Sequence, residues 1–467
     1  DMLQGGKAET VDLWRALQAI DKAATDDAVA GILLADGLDA GLAARNEIRE
    51  AIRGFRSSGK PVIAWTEGAT TGGYYLATIA DTVVLHPMAE VSFAGLASYN
   101  LYLGKALADL GIGVQVTRVG KYKSAVEPYT QDRMSDAARA MSQEMLDDIW
   151  NRIVAAVAAD RKLSPERMRE IVAQPGHHQA KDALRLGLVD KVLRRDELVA
   201  LLLERGGKAD DEVAFRQVGL ARYASKVKLT KTGKGKVVVV YAEGEIVDGM
   251  GGPGMIGGDG LSATLRRLRE EPDLRAVVLR VNSPGGSAFA SDLIHRELEL
   301  LVAKGIPLVV SMGDTAASGG YYISAPGKMI LADPMTLTGS IGVFGLHFNY
   351  GALAGRFGVG TDGVKTAPYA DLLDQHRPAT EAEMAIVQGS VDAVYETFLG
   401  VVGSGRKLTR DQVHAVAQGR VWTGAQARRA KLVDRFGGLR DAIDLAAEEA
   451  GLKAGYQLVQ SPALGEG

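Results

Sequence analysis

Residues 314–322 read Asp314-Thr315-Ala316-Ala317-Ser318-Gly319-Gly320-Tyr321-Tyr322, and residues 67–75 read Glu67-Gly68-Ala69-Thr70-Thr71-Gly72-Gly73-Tyr74-Tyr75. The cassette occurs twice, and only the second copy carries a serine, where the first has Thr71. A serine followed by two glycines suits nucleophilic chemistry. The hydroxyl attacks a carbonyl, and the glycines let a substrate backbone come close. A second glycine loop, Asn282-Ser283-Pro284-Gly285-Gly286-Ser287, could add an oxyanion donor to the free N–H groups at the helix start after Ser318. In its place the first half reads Asp36-Gly37-Leu38-Asp39-Ala40, so that half lacks both loop and serine. Alone, Ser318 would read as a helix N-cap. Two losses confined to one half favour a nucleophile.

A serine nucleophile needs a base. Among the seven histidines only His295, a helix turn past the glycine loop, could partner Ser318, and a packing or surface role suits it better. A lysine serves if burial lowers its pKa enough to keep the amine neutral. The first half offers Gly120-Lys121-Tyr122-Lys123-Ser124-Ala125-Val126-Glu127-Pro128, and the second offers Lys365 in Gly363-Val364-Lys365-Thr366-Ala367-Pro368-Tyr369. Lys123 has small and apolar neighbours. Lys121 would share its side of an extended strand, and Lys365 belongs to the serine-bearing half, so spacing leaves all three open.

The elements that must position these groups come from a duplication. Gly59-Lys60-Pro61-Val62 parallels Gly305-Ile306-Pro307-Leu308, Arg161-Lys162-Leu163-Ser164 parallels Arg406-Lys407-Leu408-Thr409, and Leu188-Val189-Asp190-Lys191 parallels Leu432-Val433-Asp434-Arg435. The period is a whole domain. In the second copy, short apolar runs at Val237–Tyr241, Ala276–Val281, Leu308–Met312 and Met329–Ala332 alternate with helical patterns at Leu261–Arg269, Ser291–Ala303 and Gly319–Ala325. That order predicts an α/β fold of stacked βαβ units with parallel strands, each copy closed by a long helix, Asp136–Ala159 or Glu381–Val402. The expected division is a first repeat at 1–215, a basic linker at 216–235 and a second repeat at 236–467. By the repeat offset the opening strand of the first copy falls before residue 1, and any signal or anchor segment would lie there.

Composition narrows the classes. Formal charge is −3 over 467 residues, so no basic field points to nucleic acid. With no cysteine, thiol catalysis, thiolate metal sites and disulfides are excluded. There is neither a Walker loop nor a His-Glu-x-x-His motif.

Four separated motifs together resemble the long, duplicated form of the bacterial signal peptide peptidase A family. They are Tyr122–Pro128, Arg280–Ser287, Ala316–Tyr321 and Leu337-Thr338-Gly339-Ser340-Ile341-Gly342. The resemblance runs over nearly the whole chain and implies two tandem Clp-protease/crotonase-like domains. It implies Ser318 as nucleophile and Lys123 as base, the lysine coming from the first half and the serine from the second, which decides between Lys123 and Lys365. It further implies that Ser340 orients the lysine, and that Gly285 or Gly286 with the Gly319 amide forms the oxyanion hole. No cofactor or metal is implied. The implied substrates are cleaved signal peptides and other extended apolar peptides, the implied assembly a homotetramer, and the implied place the bacterial inner membrane with the catalytic body facing the periplasm. Thr338–Gly345 is the expected strand edge for substrate. An acyl-CoA hydratase or isomerase of the crotonase type would need neither Ser318 nor Lys123, and a non-catalytic membrane scaffold fits only the first half.

Overall fold

The computed structural model describes residues 11–36, 38–208, 215–227, 233–452 and 455–461. The chain forms two compact units that cut across the repeats: Asp1–Ala97 with Leu146–Lys231, and Ser98–Met145 with Thr232–Gly467. The segment bearing Lys123 therefore belongs to the unit bearing Ser318.

In the second unit the valine-rich run becomes the strand Lys236–Glu243, with Val237–Val240 fully buried. A run buried on both faces needs cover on both faces, which is why alternation is absent from it. Leu274–Ser283 and Leu308–Ala317 lie beside it in parallel register. The helices Gly258–Arg269 and Ala288–Ala303 pack on one another, and the Glu297 carboxylate holds Arg266 at 2.9 Å and Arg269 at 2.6 Å. Ser287 caps the second of these helices by accepting from the Ala290 N–H.

Leu308–Ala317 is longer than its apolar run, because its far end serves a second set of partners. Its start pairs with Met329–Ala332 and its end with Leu337–Gly339. Against Leu274–Ser283 the register slips between Val281↔Met312 and Ser283↔Ala316. A bulge of this kind re-aims a strand end. Here it delivers Ala317 and Ser318 beside the glycine loop.

Gly113–Val119 and Val343–Asn349 form a two-stranded antiparallel ribbon, with seven register pairs from Gly113↔Asn349 to Val119↔Val343. The helix Glu381–Arg406 packs on this ribbon and buries Tyr395, Phe398, Leu399 and Val402 in the core. It is long and apolar enough to cross a membrane by length and composition, yet that face is core.

The first unit has a smaller parallel sheet, in the order Ile32–Leu34, Val62–Thr66, Thr82–Leu85, Lys191–Val192. The repeated Arg and Asp motifs prove to be the same latch in both units. Arg161 grips Asp190 with two bonds of 2.8 Å, and Asp190 accepts from the Val83 N–H at 2.7 Å. Arg406 pairs with Asp434, which accepts from the Ile330 N–H at 2.8 Å. The cassette tyrosines close the same circuit, Tyr74 on the Leu188 carbonyl and Tyr321 on that of Leu432.

The stretch expected to be a basic linker is partly structured. Leu220–Lys226 is a helix packed on Leu13–Thr25, and Tyr223 donates to Asp26 at 2.7 Å. Residues 228–232 of that stretch lie outside the described residues. Burial of Ala224 and the hydrogen bond from the partly buried Tyr223 to Asp26 hold this helix in place despite the surrounding lysines.

Arg406 is 5% exposed, so removing its partner strands a buried cation. Asp434→Ala should lower the unfolding free energy by about 3 kcal/mol, measured by chemical denaturation. A loss below about 0.5 kcal/mol, the level of an ordinary surface substitution, would show that the latch carries no stability.

Candidate active site

Ser318 stands between the strand Leu308–Ala317 and the helix Gly319–Ser324, with φ 55° and ψ −120°. A non-glycine residue with positive φ is strained and persists only where its surroundings hold it. Two clamps do so: its N–H donates to the Gly339 carbonyl at 2.8 Å, and its carbonyl accepts from Tyr322 at 2.9 Å. Ser340 and Gln418, also non-glycine residues with positive φ, belong to the same neighbourhood.

Lys123 reaches Ser318 because of the ribbon. Its last register pair, Val119↔Val343, brings the two chain segments that leave it side by side. One continues through Gly120 to Lys123, and the other arrives from Ser340. The turn after Val416 seals the join. Gln418 accepts from the Tyr122 N–H at 3.0 Å, Gly419 donates to the Ile341 carbonyl at 2.7 Å, and the Arg420 carbonyl accepts from the Ser340 N–H at 2.7 Å. Gly419, with φ 76°, lies so close that a Cβ there would stand 2.6 Å from the Lys123 Cα. No other residue fits.

The amine nitrogen lies 3.2 Å from Ser318 Oγ, 3.0 Å from Ser340 Oγ and 3.0 Å from the Ser340 carbonyl oxygen, all within hydrogen-bond reach. Lys123 is 5% exposed, and this burial pushes its pKa from 10.5 down to about 8. The Phe344 ring lies 5.9 Å from Nζ on the ribbon side. A neutral amine has two N–H donors and one lone pair. The two oxygens of Ser340 take the donors, which leaves the lone pair for the Ser318 hydroxyl proton.

The glycine loop backs the serine. A Cβ on Gly285 would meet Ser318 Cβ at 2.7 Å and the Gly319 nitrogen at 2.6 Å. The Gly285 N–H is taken by Ser283 Oγ at 3.1 Å, and its carbonyl by the Ile246 N–H at 2.8 Å. Ser287 donates to the Ile246 carbonyl, so Gly286 between them turns its N–H the other way. Among the described residues neither the Gly286 nor the Gly319 N–H has an acceptor within the protein. These two are the donors open to a ligand oxygen.

The rival bases lie elsewhere. Residues 120–126 form a turn and a short 3-10 helix, not the extended strand expected, so Lys121 does not share the side of Lys123. It is exposed, with Nζ 4.8 Å from the Tyr122 ring centroid. Lys365 is exposed and bound to Asp371 at 2.8 Å. His295 sits edge-on to Tyr322 and faces Glu299, a packing role. The strand edge expected at Thr338–Gly345 is mostly occupied. Leu337–Gly339 is paired on both sides, by Thr315–Ala317 and by Val421–Thr423, because the bulged strand carries its ladder up to the residue before the serine. Only from Val343 onward does one edge lack a strand partner among the described residues. Sequence reading missed Ser283 and the Gln418–Arg420 turn. A signal for the turn existed: Gly176 recurs as Gly419, with φ 74° and 76°.

In the first unit the corresponding place is filled. The Thr71 hydroxyl lies 3.4 Å from the carbonyls of Ser92 and Gly95, and Asp36 accepts from Thr66 and from the Glu67 N–H. Arg45 donates to the carbonyls of Leu38, Ala40 and Gly72.

A strained serine with a buried amine in hydrogen-bond reach is the arrangement of hydrolases that use a lysine base. A profile of peptidase family S49 matches residues 54–207 and again 301–453. Protease 4 of Salmonella typhi is 39% identical over 450 residues, which cover 94% of this chain and 72% of that protein. Protease 4 of Haemophilus influenzae is 37% identical over 443 residues, covering 92% and 71%. The putative signal peptide peptidase SppA of Enterococcus faecium is 38% identical over 186 residues, covering 40% and 54%. The fold and these relatives define a serine protease built of tandem α/β repeats. The chain belongs to peptidase family S49.

Burying Lys123 has a cost that the unfolded chain escapes. Between pH 8 and 10.5 the unfolded state holds the extra proton, so this group's contribution to stability rises with pH across that window. At pH 7, below both values, the burden is roughly 3 kcal/mol. Lys123→Met should therefore melt at or above the wild-type temperature at pH 7. A variant that melts far lower would mean the amine is held by attraction and not merely enclosed.

Proposed function

We propose that Ser318 is the nucleophile and Lys123 the general base of a protease that degrades cleaved signal peptides. The observation that carries this reading is the match around Nζ, where two oxygens of Ser340 and the hydroxyl of Ser318 account for the whole valence of a neutral amine. Ser318 Oγ attacks the scissile carbonyl carbon as its proton passes to Lys123. The carbonyl oxygen gains charge and is met by the Gly286 and Gly319 N–H groups. The C–N bond then breaks, the lysine proton leaves with the departing amine, and an acyl ester remains on Ser318. Water attacks that ester with Lys123 again as base, which restores the serine. Gly285 shapes the loop by close approach, and Ser340 orients the amine.

An extended peptide suits the edge of Val343–Asn349 that lacks a strand partner, because backbone pairing there needs no particular side chain. The Enterococcus relative described as a putative signal peptide peptidase supports signal peptides as the substrate class. We place the protein at the bacterial inner membrane facing the periplasm, where such peptides are released. We further propose a homotetramer. Tyr99, Leu101, Phe357 and Val364 in the second unit are almost wholly exposed, a burden on a lone subunit that partner copies would relieve.

Ser318→Ala should abolish peptide hydrolysis while leaving the melting temperature within about 2 °C, since loss of one hydroxyl at this partly buried position shifts ΔΔG by about 0.5 kcal/mol. Wild-type activity in this variant would overturn the nucleophile assignment. The wild-type rate on a leucine-rich signal-peptide segment should rise through pH 8 and stay high above pH 9, because the active base is neutral. A bell falling above pH 8 would contradict a lysine base. A chelator should leave this rate unchanged, and sedimentation should give four copies.

A further inference from the structure

The dyad is assembled from two chain segments, and one turn touches both by backbone alone: Gln418 to Tyr122, Gly419 to Ile341, Arg420 to Ser340. A single side chain on that turn returns to the lysine segment. Arg420 donates to Tyr122 Oη at 3.3 Å and pairs with Glu144 on the helix Asp136–Asp160. Its guanidinium lies 4.2 Å from the Trp422 ring centroid and 5.0 Å from that of Tyr122, which also carries Lys121. The Arg420 side chain is 18% exposed and held by three residues, Tyr122, Glu144 and Trp422.

We propose that Arg420 is a positioning residue for the reaction, the clamp that ties the Tyr122–Lys123 segment to the turn holding Ser340. It touches neither substrate nor reacting atoms. It acts by fixing the distance between Lys123 Nζ and Ser318 Oγ and by keeping the amine away from water. Planarity is essential to this. A guanidinium can stack on an indole, bond a phenol and pair with a carboxylate at once, which an ammonium cannot. The proposal rests on the Ser318–Lys123 reading given above.

Other charged groups flank the amine without bonding to it. Arg118 on the ribbon faces Glu127 at the start of the short helix Glu127–Thr130, Lys121, Arg420 and Glu144 surround Tyr122, and the titratable His414 stands behind Gln418 through Tyr395. Loosening the clamp would chiefly admit water to Lys123.

The test compares Arg420→Ala, Arg420→Lys and Glu144→Gln in the full chain, read by kcat, KM and the pH dependence of Ser318 labelling by a fluorophosphonate. For Arg420→Ala, kcat should fall about 10- to 100-fold with KM changed less than about twofold. Its labelling should also rise at a higher pH than wild type, by about half a unit or more, as the amine gains water. Arg420→Lys should recover only a small part of the rate, because the charge that pairs with Glu144 remains while the planar stacking on Trp422 and Tyr122 is lost. Should Arg420→Ala fail to fold, Arg420→Lys and Glu144→Gln must show the same two signs in weaker form. Folded variants with wild-type kcat and pH profile, even if less heat-stable, would overturn the proposal and leave Arg420 a purely structural residue. Failure of the underlying reading looks different, as wild-type protein that is not labelled at Ser318 or a Lys123→Met variant that stays active.

Discussion

An ammonium group kept out of water is the constraint on which the rest of this structure depends. A lysine left on the surface would be protonated at neutral pH and useless as a base. Burial lowers Lys123 to about 8, and no charged neighbour contributes to the shift. The fold must therefore build a dry, uncharged niche, and it does so from segments far apart in sequence. The Gly113–Val119/Val343–Asn349 ribbon stitches the lysine segment to the serine-bearing unit, and Gly419 and Gly342 close over the lysine stem where any side chain would collide. The strained backbone at Ser318, Ser340 and Gln418 belongs to the same requirement. Each of these residues turns sharply so that polar groups face inward while the chain keeps its hydrogen bonds.

Duplication supplied the parts, and divergence divided the work. Both units keep the tyrosine and Arg–Asp latch, which concern only stability. The first unit has Thr71 hydrogen-bonded to carbonyls and Arg45 laid across the loop region that in the second unit is open. What the first repeat contributes instead is a strand and a lysine, given to the compact unit of its neighbour in the chain. That exchange explains why the compact units do not follow the repeat boundaries.

Much of this was legible in the sequence, for identifiable reasons. Short, continuous β-branched runs such as Val237–Val240 favour buried parallel strands, and the Ser318/Thr71 asymmetry suggested one working site. The long helices expected at Asp136–Ala159 and Glu381–Val402 span Asp136–Asp160 and Glu381–Arg406. What escaped depends on contacts at long separation. Nothing local marks Gln418–Arg420 as the partner of Tyr122, and Leu308–Ala317 outruns its apolar stretch because its end is fixed by pairing with Leu337–Gly339. The choice among three lysines was likewise a matter of enclosure, which spacing along the chain does not encode. The helix Leu220–Lys226 was hidden by its charges, since a short amphipathic turn is stabilised by the surface it meets.

The proposed role of Lys123 as a base rests on enclosure alone, and direct titration of that amine tests it. Lysine side-chain NMR resonances would be followed over pH 6–11, with the Lys123 signal assigned by its loss in Lys123→Met. The account predicts a midpoint of about 8 for Lys123. A midpoint at the ordinary lysine value of 10.5 would contradict it.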